Sequence, residues 1–272
     1  MSDFPTRIAA VLAVIAVLGM TACSTSTSTA ATSTHADFYW SAAKETYALG
    51  DYAKTADHLE RLIDDGAYST RALPWYLVLT SGMASGYIEL ADQYTAGARH
   101  NKGSAAAFHA KAAAYRTIAS QWAMRFAQNS DKLRDVPLGS MTIGFALPKG
   151  SAAEPEQLAQ IASGIELRAT DAEMAETRTL QHSVLMAVCQ AVGAPQDVAK
   201  AEEILARVPA MESRSTFGNA IGEMLDAESY LYSRNKLDEP AKLAALHERA
   251  EMARKEGARA GSARIVAAAA QQ

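Results

Sequence analysis

Cysteine is nearly absent from this 272-residue chain, which carries only Cys23 and Cys189. That count excludes a disulfide framework. Proline is also scarce, at 8 residues, and aromatics make up 7%. With alanine abundant and β-branched content modest, a mainly helical fold is expected. Neither sign of charge dominates. The net charge is −4 and the pI about 5.9, so the whole molecule has no electrostatic reason to seek nucleic acid. No apolar run is long enough to cross a bilayer comfortably; the longest, Ile8 to Leu18, has 11 residues. What is present, 49% hydrophobic and 21% charged residues, is the balance of a globular protein. It argues against a disordered chain or a multi-span membrane protein, and the length suffices for one large domain or two small ones.

The Ile8–Leu18 run follows a single cation, Arg7, and leads into Gly19-Met20-Thr21-Ala22-Cys23. A short apolar run between a cation and small residues reads as the core of an export signal. The small Ala22 before Cys23 resembles the lipobox of bacterial lipoproteins, with Met20 where that family usually has Leu or Val. The resemblance implies a signal peptide at 1–22 and a diacylglyceryl group on the sulfur of Cys23, which becomes the mature N-terminus. It also implies, from Ser24, anchoring at the periplasmic face of the outer membrane. An ordinary secretory signal cut near Ala22 is the other reading. Residues 24–34 are all Ser, Thr or Ala, which cannot bury apolar surface, so 23–35 is expected to be a flexible tether. With Cys23 acylated, Cys189 has no partner; it lies in line with Leu185 and Val192 at helical spacing and reads as a buried core thiol.

Beyond the tether, apolar residues recur at three- and four-residue intervals. They predict helices over about 36–48, 53–65, 74–99, 104–129, 155–164, 169–193, 197–207, 216–233 and 239–260. Thr70 and Pro74 mark one helix start, and Ser215 and Asp238 read as N-caps. Short connections make successive helices antiparallel, so the expected fold is all-α: one domain of stacked helical hairpins over 36–260, then an Ala-rich tail at 261–272. Tyr39, Ala43, Tyr47, the Gly50-Asp51-Tyr52 corner, Leu59 and Leu62 resemble a tetratricopeptide repeat, with Thr55 where a small Ala is usual. The resemblance covers about 30 residues. It implies a right-handed superhelix whose concave surface holds a partner protein. Ala53-Lys54-Thr55-Ala56 with Glu60-Arg61 recurs as Ala241-Lys242-Leu243-Ala244 with Glu248-Arg249, and the chain has room for the three or so units such a stack needs.

The helices at 74–99 and 104–129 are longer than that unit and form one long central hairpin. Gly82-x-x-x-Gly86 on its first arm allows close backbone approach. On the second arm Phe108, Tyr115 and Trp122 lie seven apart, with Ala112, Ala119 and Phe126 one turn beyond each, a heptad-like seam that reads first as core packing. Between 130 and 154 the helical period fails. Met141, Ile143, Phe145 and Leu147 alternate instead, predicting an extended segment against the helices, either a docked connector or a functional loop.

Charge is segregated. Between Gln93 and Arg134 seven Lys or Arg face one acid, Asp131, whereas Ser151 to Glu212 carries ten acids and four bases. The two segments are expected either to neutralise one another within the fold or to leave cations for an anionic partner. Lys111 and Arg125 flank the aromatic seam and would suit an anionic ligand with an apolar body. Signals of catalysis are poor. Ser41-Ala42-Ala43-Lys44 matches a four-residue nucleophile pattern, but no Lys-Thr-Gly follows it. The six His are scattered, and neither metal-ligand spacing nor a glycine-rich phosphate loop occurs.

The sequence therefore points to a non-enzymatic, lipid-anchored cell-envelope protein whose helical domain is an interaction scaffold. A second reading is a carrier of a small apolar or anionic ligand; it resembles, in architecture only, the lipoprotein T components of TRAP transporters. Neither reading calls for a metal or cofactor. The candidate ligand or partner surface is Tyr39, Tyr47, Phe108, Lys111, Tyr115, Trp122, Arg125 and Phe145, with lipid on Cys23.

Overall fold

The computed structural model describes residues 28–149, 155–207, 210–234 and 240–269. Among them are nine α-helices, two short 3-10 turns and no strand. The helices are α1 (Ser28–Ala48), α2 (Tyr52–Glu60), α3 (Ser69–His100), α4 (Ala105–Ser130), α5 (Glu156–Ala162), α6 (Ala169–Ala191), α7 (Val198–Arg207), α8 (Ala210–Arg234) and α9 (Pro240–Ala269). The all-α expectation holds. Cys23 and Asp238 lie outside the described residues. Ser215 is a helical position rather than a cap, because α8 already begins at Ala210.

The first corner follows from its local chemistry. Gly50 takes φ +80°, a left-handed conformation that costs glycine little, and the Asp51 amide reaches back to the Thr46 carbonyl at 2.9 Å. Asp51 then caps α2 by accepting from the Lys54 amide at 3.2 Å. Ala43 and Ala56 are fully buried where α1 and α2 cross. Thr55, also fully buried, is tolerated because its hydroxyl lies 2.8 Å from the Asp51 carbonyl and 3.0 Å from Thr46 Oγ1.

Helix α3 organises the rest. At 32 residues it is about 48 Å long, and α2, α4, α5 and α6 all pack on it. It starts at Ser69, earlier than the proline suggests, so Pro74 falls inside the helix. A proline has no amide to give the carbonyl four residues back. Here the orphaned Thr70 carbonyl accepts from the Thr142 amide at 2.8 Å, a donor supplied by the segment after α4. That bond fastens the extended segment to the helix.

After α4 the chain makes 3-10 turns at Asp131–Arg134 and Leu138–Ser140, and only then runs extended. The predicted period of two is present from Met141: Met141, Ile143 and Phe145 are buried while Thr142, Gly144 and Ala146 are exposed. The Tyr47 hydroxyl donates to the Ala146 carbonyl at 2.7 Å and holds the far end.

The seam residues Phe108, Ala112, Tyr115, Ala119, Trp122 and Phe126 are all buried. All but Ala119 belong to one of two cores. One, around Leu59, Tyr76, Phe126 and Met141, joins α1–α4 to α6 and α8; the other, around Leu90, Tyr94, Phe108 and Ile161, fills the far end of the long hairpin. The α8–α9 hairpin closes against α4 and α6, with Gly218 so near α9 that an added Cβ would stand 2.6 Å from the Ala253 carbonyl oxygen. Cys189 is free and buried, and burial raises its thiol pKa.

Candidate functional site

The candidate residues do not converge on one cavity. Tyr47 and Phe145 share a pocket of about 250 Å3 between α1, α3 and the extended segment, walled by Trp40, Lys44, Ala48, Trp75, Ala146, Leu147 and Lys149 as well. Phe108 and Lys111 edge a separate cleft of about 340 Å3 between α4 and the α5–α6 connection, where Ile161, Ile165 and Leu167 form the opposite side. Trp122 and Arg125 lie in neither. Tyr39 is half-buried on α1 against His35, Phe38 and His58, with the Arg61 guanidinium 5.1 Å from its ring centre.

Arg125 belongs to a polar knot that locks the first hairpin to the second. Its guanidinium pairs with Asp57 at 2.8 Å and Glu60 at 2.7 Å, and its Nε donates to the Tyr76 hydroxyl at 3.2 Å. Asn129 donates to the same hydroxyl at 3.2 Å, and the guanidinium stacks 4.8 Å from the Trp122 ring centre. Burial pushes the Tyr76 phenol up to about 12, so it stays a neutral donor to Glu60. We expect Arg125→Met to lower stability by about 1–3 kcal/mol, because the buried Tyr76 hydroxyl loses its charged donor while the more exposed carboxylates are screened by water. Urea unfolding checks this. A cation free to bind ligand would leave the midpoint unmoved.

Lys111 is also engaged. It pairs with Glu176 at 3.2 Å and sits 5.3 Å from the Tyr115 ring centre. Glu176 accepts from Tyr94 at 3.1 Å. Burial, reinforced by that carboxylate, raises the phenols of both Tyr94 and Tyr115 far above the ordinary value. Further cations of the basic stretch are spent in the same way, Arg116 on Asp92 and Lys132 on Asp64. Their acids come from α3 and the turns after α2 and not from the acidic stretch after residue 150.

The Tyr47–Phe145 pocket differs in what is left unpaired. Trp40 and Tyr47 meet the Trp75 ring edge-on, at 5.5 and 5.1 Å between centres. Trp75 is 4% exposed, yet its indole N–H has no acceptor among the described residues, an arrangement that costs free energy unless something supplies one. Lys44 and Lys149 stand exposed in its wall, and neither forms an ion pair among the described residues. Burial raises the Tyr47 phenol well above its ordinary value, with Tyr52 adding to the shift. The pocket can thus take an apolar group beside an acceptor or anionic group.

Sequence reasoning found Tyr47 and Phe145 but missed Trp40, Lys44, Trp75 and Lys149. A signal did exist for two of them: Trp40, Lys44, Tyr47 and Ala48 recur at helical spacing on one face of α1. Nothing local links them to Trp75 or Lys149. Among the described residues no group of three His, Cys, Asp or Glu could hold a metal ion, and no helix is long and apolar enough to cross a membrane. No protein-family model, no curated protein and no solved structure matches this chain.

Proposed function

We propose that this chain is a non-catalytic interaction scaffold of the cell envelope, held to the periplasmic face of the outer membrane by lipid on Cys23. Its hairpins form a tetratricopeptide-like right-handed stack, and α1–α2 is the unit whose corner fits that pattern best. The observation that carries the reading is the Tyr47–Phe145 pocket, whose indole N–H and two lysines are unpaired among the described residues at an aromatic floor. Its occupant is a segment of a partner protein that inserts an apolar side chain and presents a carboxylate to Lys44, Lys149 and the Trp75 N–H. Such a segment relieves the unpaired donor and gains apolar burial at the same time.

A photo-crosslinking residue placed at Ala48, in the pocket wall, should give one discrete adduct in cells. Lys44→Glu with Lys149→Glu should remove that adduct and leave the melting temperature unchanged, since neither lysine holds an ion pair among the described residues. An adduct that persists in the double variant, or none at all, overturns the reading. The cleft at Phe108 and Lys111 favours the second reading, a small-ligand carrier. That reading requires a mass excess, lost on denaturation, in native mass spectrometry of the exported protein.

A further inference from the structure

A third cleft shares no wall residue with the two described above. It has a volume of about 320 Å3 and lies between the turns after α4 and one face of α9. Leu133, Pro137 and Leu138 form one wall, and Met252 and Ala253 the other. Around this apolar floor stand four cations, Arg134, Arg249, Lys255 and Arg259, against one acid, Glu256. The acid is taken, because Arg259 pairs with Glu256 at 2.5 Å. In a chain of net charge −4, this is a local reversal of sign.

The four cations are not equivalent. Arg249 is fixed: it donates to the Ala127 carbonyl at 2.9 Å and to Ser130 Oγ at 3.3 Å, and pairs with Asp131. These bonds strap α9 to the end of α4 and leave its buried Nε–H without an acceptor among the described residues. Arg134 and Lys255 are exposed and have no ion-pair partner among the described residues. A rigid guanidinium with a spare donor, flanked by two unengaged cations, suits an oxyanion with several acceptor atoms. The apolar floor excludes a bare ion as the best fit, since its walls would remain hydrated. The volume is at the low end for ligand cavities, enough for one short chain.

We infer that this cleft binds a single-chain anionic amphiphile, with a phosphate head against Arg134, Arg249 and Lys255 and an alkyl chain on Leu133, Leu138 and Met252. The shared chemistry, a phosphate beside hydrocarbon, is found in soluble lysolipids and at bilayer surfaces alike.

Titration calorimetry of the full chain carrying Cys23→Ser, with octyl phosphate below its micelle concentration, tests this. Octyl phosphate should bind at one site, with inorganic phosphate and octyl glucoside each at least tenfold weaker. Arg134→Glu with Lys255→Glu should weaken octyl phosphate at least tenfold without moving the melting temperature, while Lys44→Glu with Lys149→Glu should leave it unchanged. That last control keeps the inference separate from the partner-binding reading. Vesicles of anionic phospholipid, added in competition, identify the source: competition marks the bilayer and its absence marks the dissolved amphiphile, and both presuppose octyl phosphate binding. No octyl phosphate binding, equal affinity for inorganic phosphate, or an unchanged affinity in the Arg134–Lys255 variant would overturn the inference.

Discussion

Replacing Gly82 with leucine is expected to abolish the folded state, and with alanine to lower stability by about 1–3 kcal/mol. A Cβ at this position would stand 2.8 Å from the Cα of Val184 and 3.2 Å from the Ser183 carbonyl oxygen. Both are backbone atoms of α6, so no rotamer change relieves the clash; α6 has to move off α3. Moving it opens the packing around Val184, Leu185 and Val188, all buried in the main core. A leucine adds three more carbons to the same gap, and a loss above about 4 kcal/mol takes a large share of the roughly 5–15 kcal/mol a domain has. Gly86→Ala supplies the internal control. Its Cβ would meet the tip of the Leu180 side chain at 2.9 Å and Ser183 Cβ at 3.1 Å. The leucine tip can turn away, and alanine's helix propensity returns up to about 1 kcal/mol. Urea melts should therefore place Gly86→Ala near the parent protein and Gly82→Ala well below it. Equal effects at the two positions would mean that α6 does not sit on α3 as described.

The second large effect is one of pH. Glu228 on α8 is 2% exposed, and its Oε2 has no hydrogen-bond partner among the described residues. Burial pushes its carboxyl up to about 8 from an ordinary value of 4.5. Between those values the folded protein keeps a proton that the unfolded chain has already released. Stability therefore falls as pH rises from about 4.5 towards 8, and this contribution levels off above that window. Glu228→Gln keeps the shape and removes the titration. The variant should match the parent near pH 4 and exceed it by roughly 5 kcal/mol at pH 9, an upper figure that water entering the site would reduce. Unfolding curves at both pH values decide the matter. A parent and variant with parallel pH profiles would show that Glu228 ionises freely in the folded state.

Several features of the fold were legible because they are local. The spacing of apolar residues placed helices close to where α2 to α8 lie, since a helix needs only its own face to announce itself. Helix α1 instead begins at Ser28, inside the stretch read as a tether, and α9 runs on to Ala269, inside the stretch read as a tail, because Ser, Thr and Ala runs show no apolar face. The Gly50-Asp51-Tyr52 corner was readable for the same reason: a left-handed residue and a cap are decided within a turn. So was the alternation from Met141 to Phe145. Pro74 misled in one respect. By the local rule it belongs at a helix start, but the Thr142 amide, 68 positions further on, satisfies the carbonyl it orphans and lets α3 begin at Ser69.

The site was much less legible. Phe108, Tyr115, Trp122, Lys111 and Arg125 share one helix and looked like one surface, yet their partners come from elsewhere: Tyr94 on α3, Glu176 on α6, Asp57 and Glu60 on α2. The pocket at Tyr47 pairs Lys44 with Lys149 across about a hundred residues of chain, and the basic cleft joins Arg134 to α9 in the same way. The sequence by itself determined the all-helical class, the corners and the extended segment, because helix period, capping and backbone freedom act over a few residues. Only the tertiary structure decided which cations are neutralised and which stay free, which tryptophan N–H goes unpaired and which glutamate is buried. Those outcomes depend on charge, water and acceptors brought within a few ångströms by packing, and separation along the chain says nothing about them.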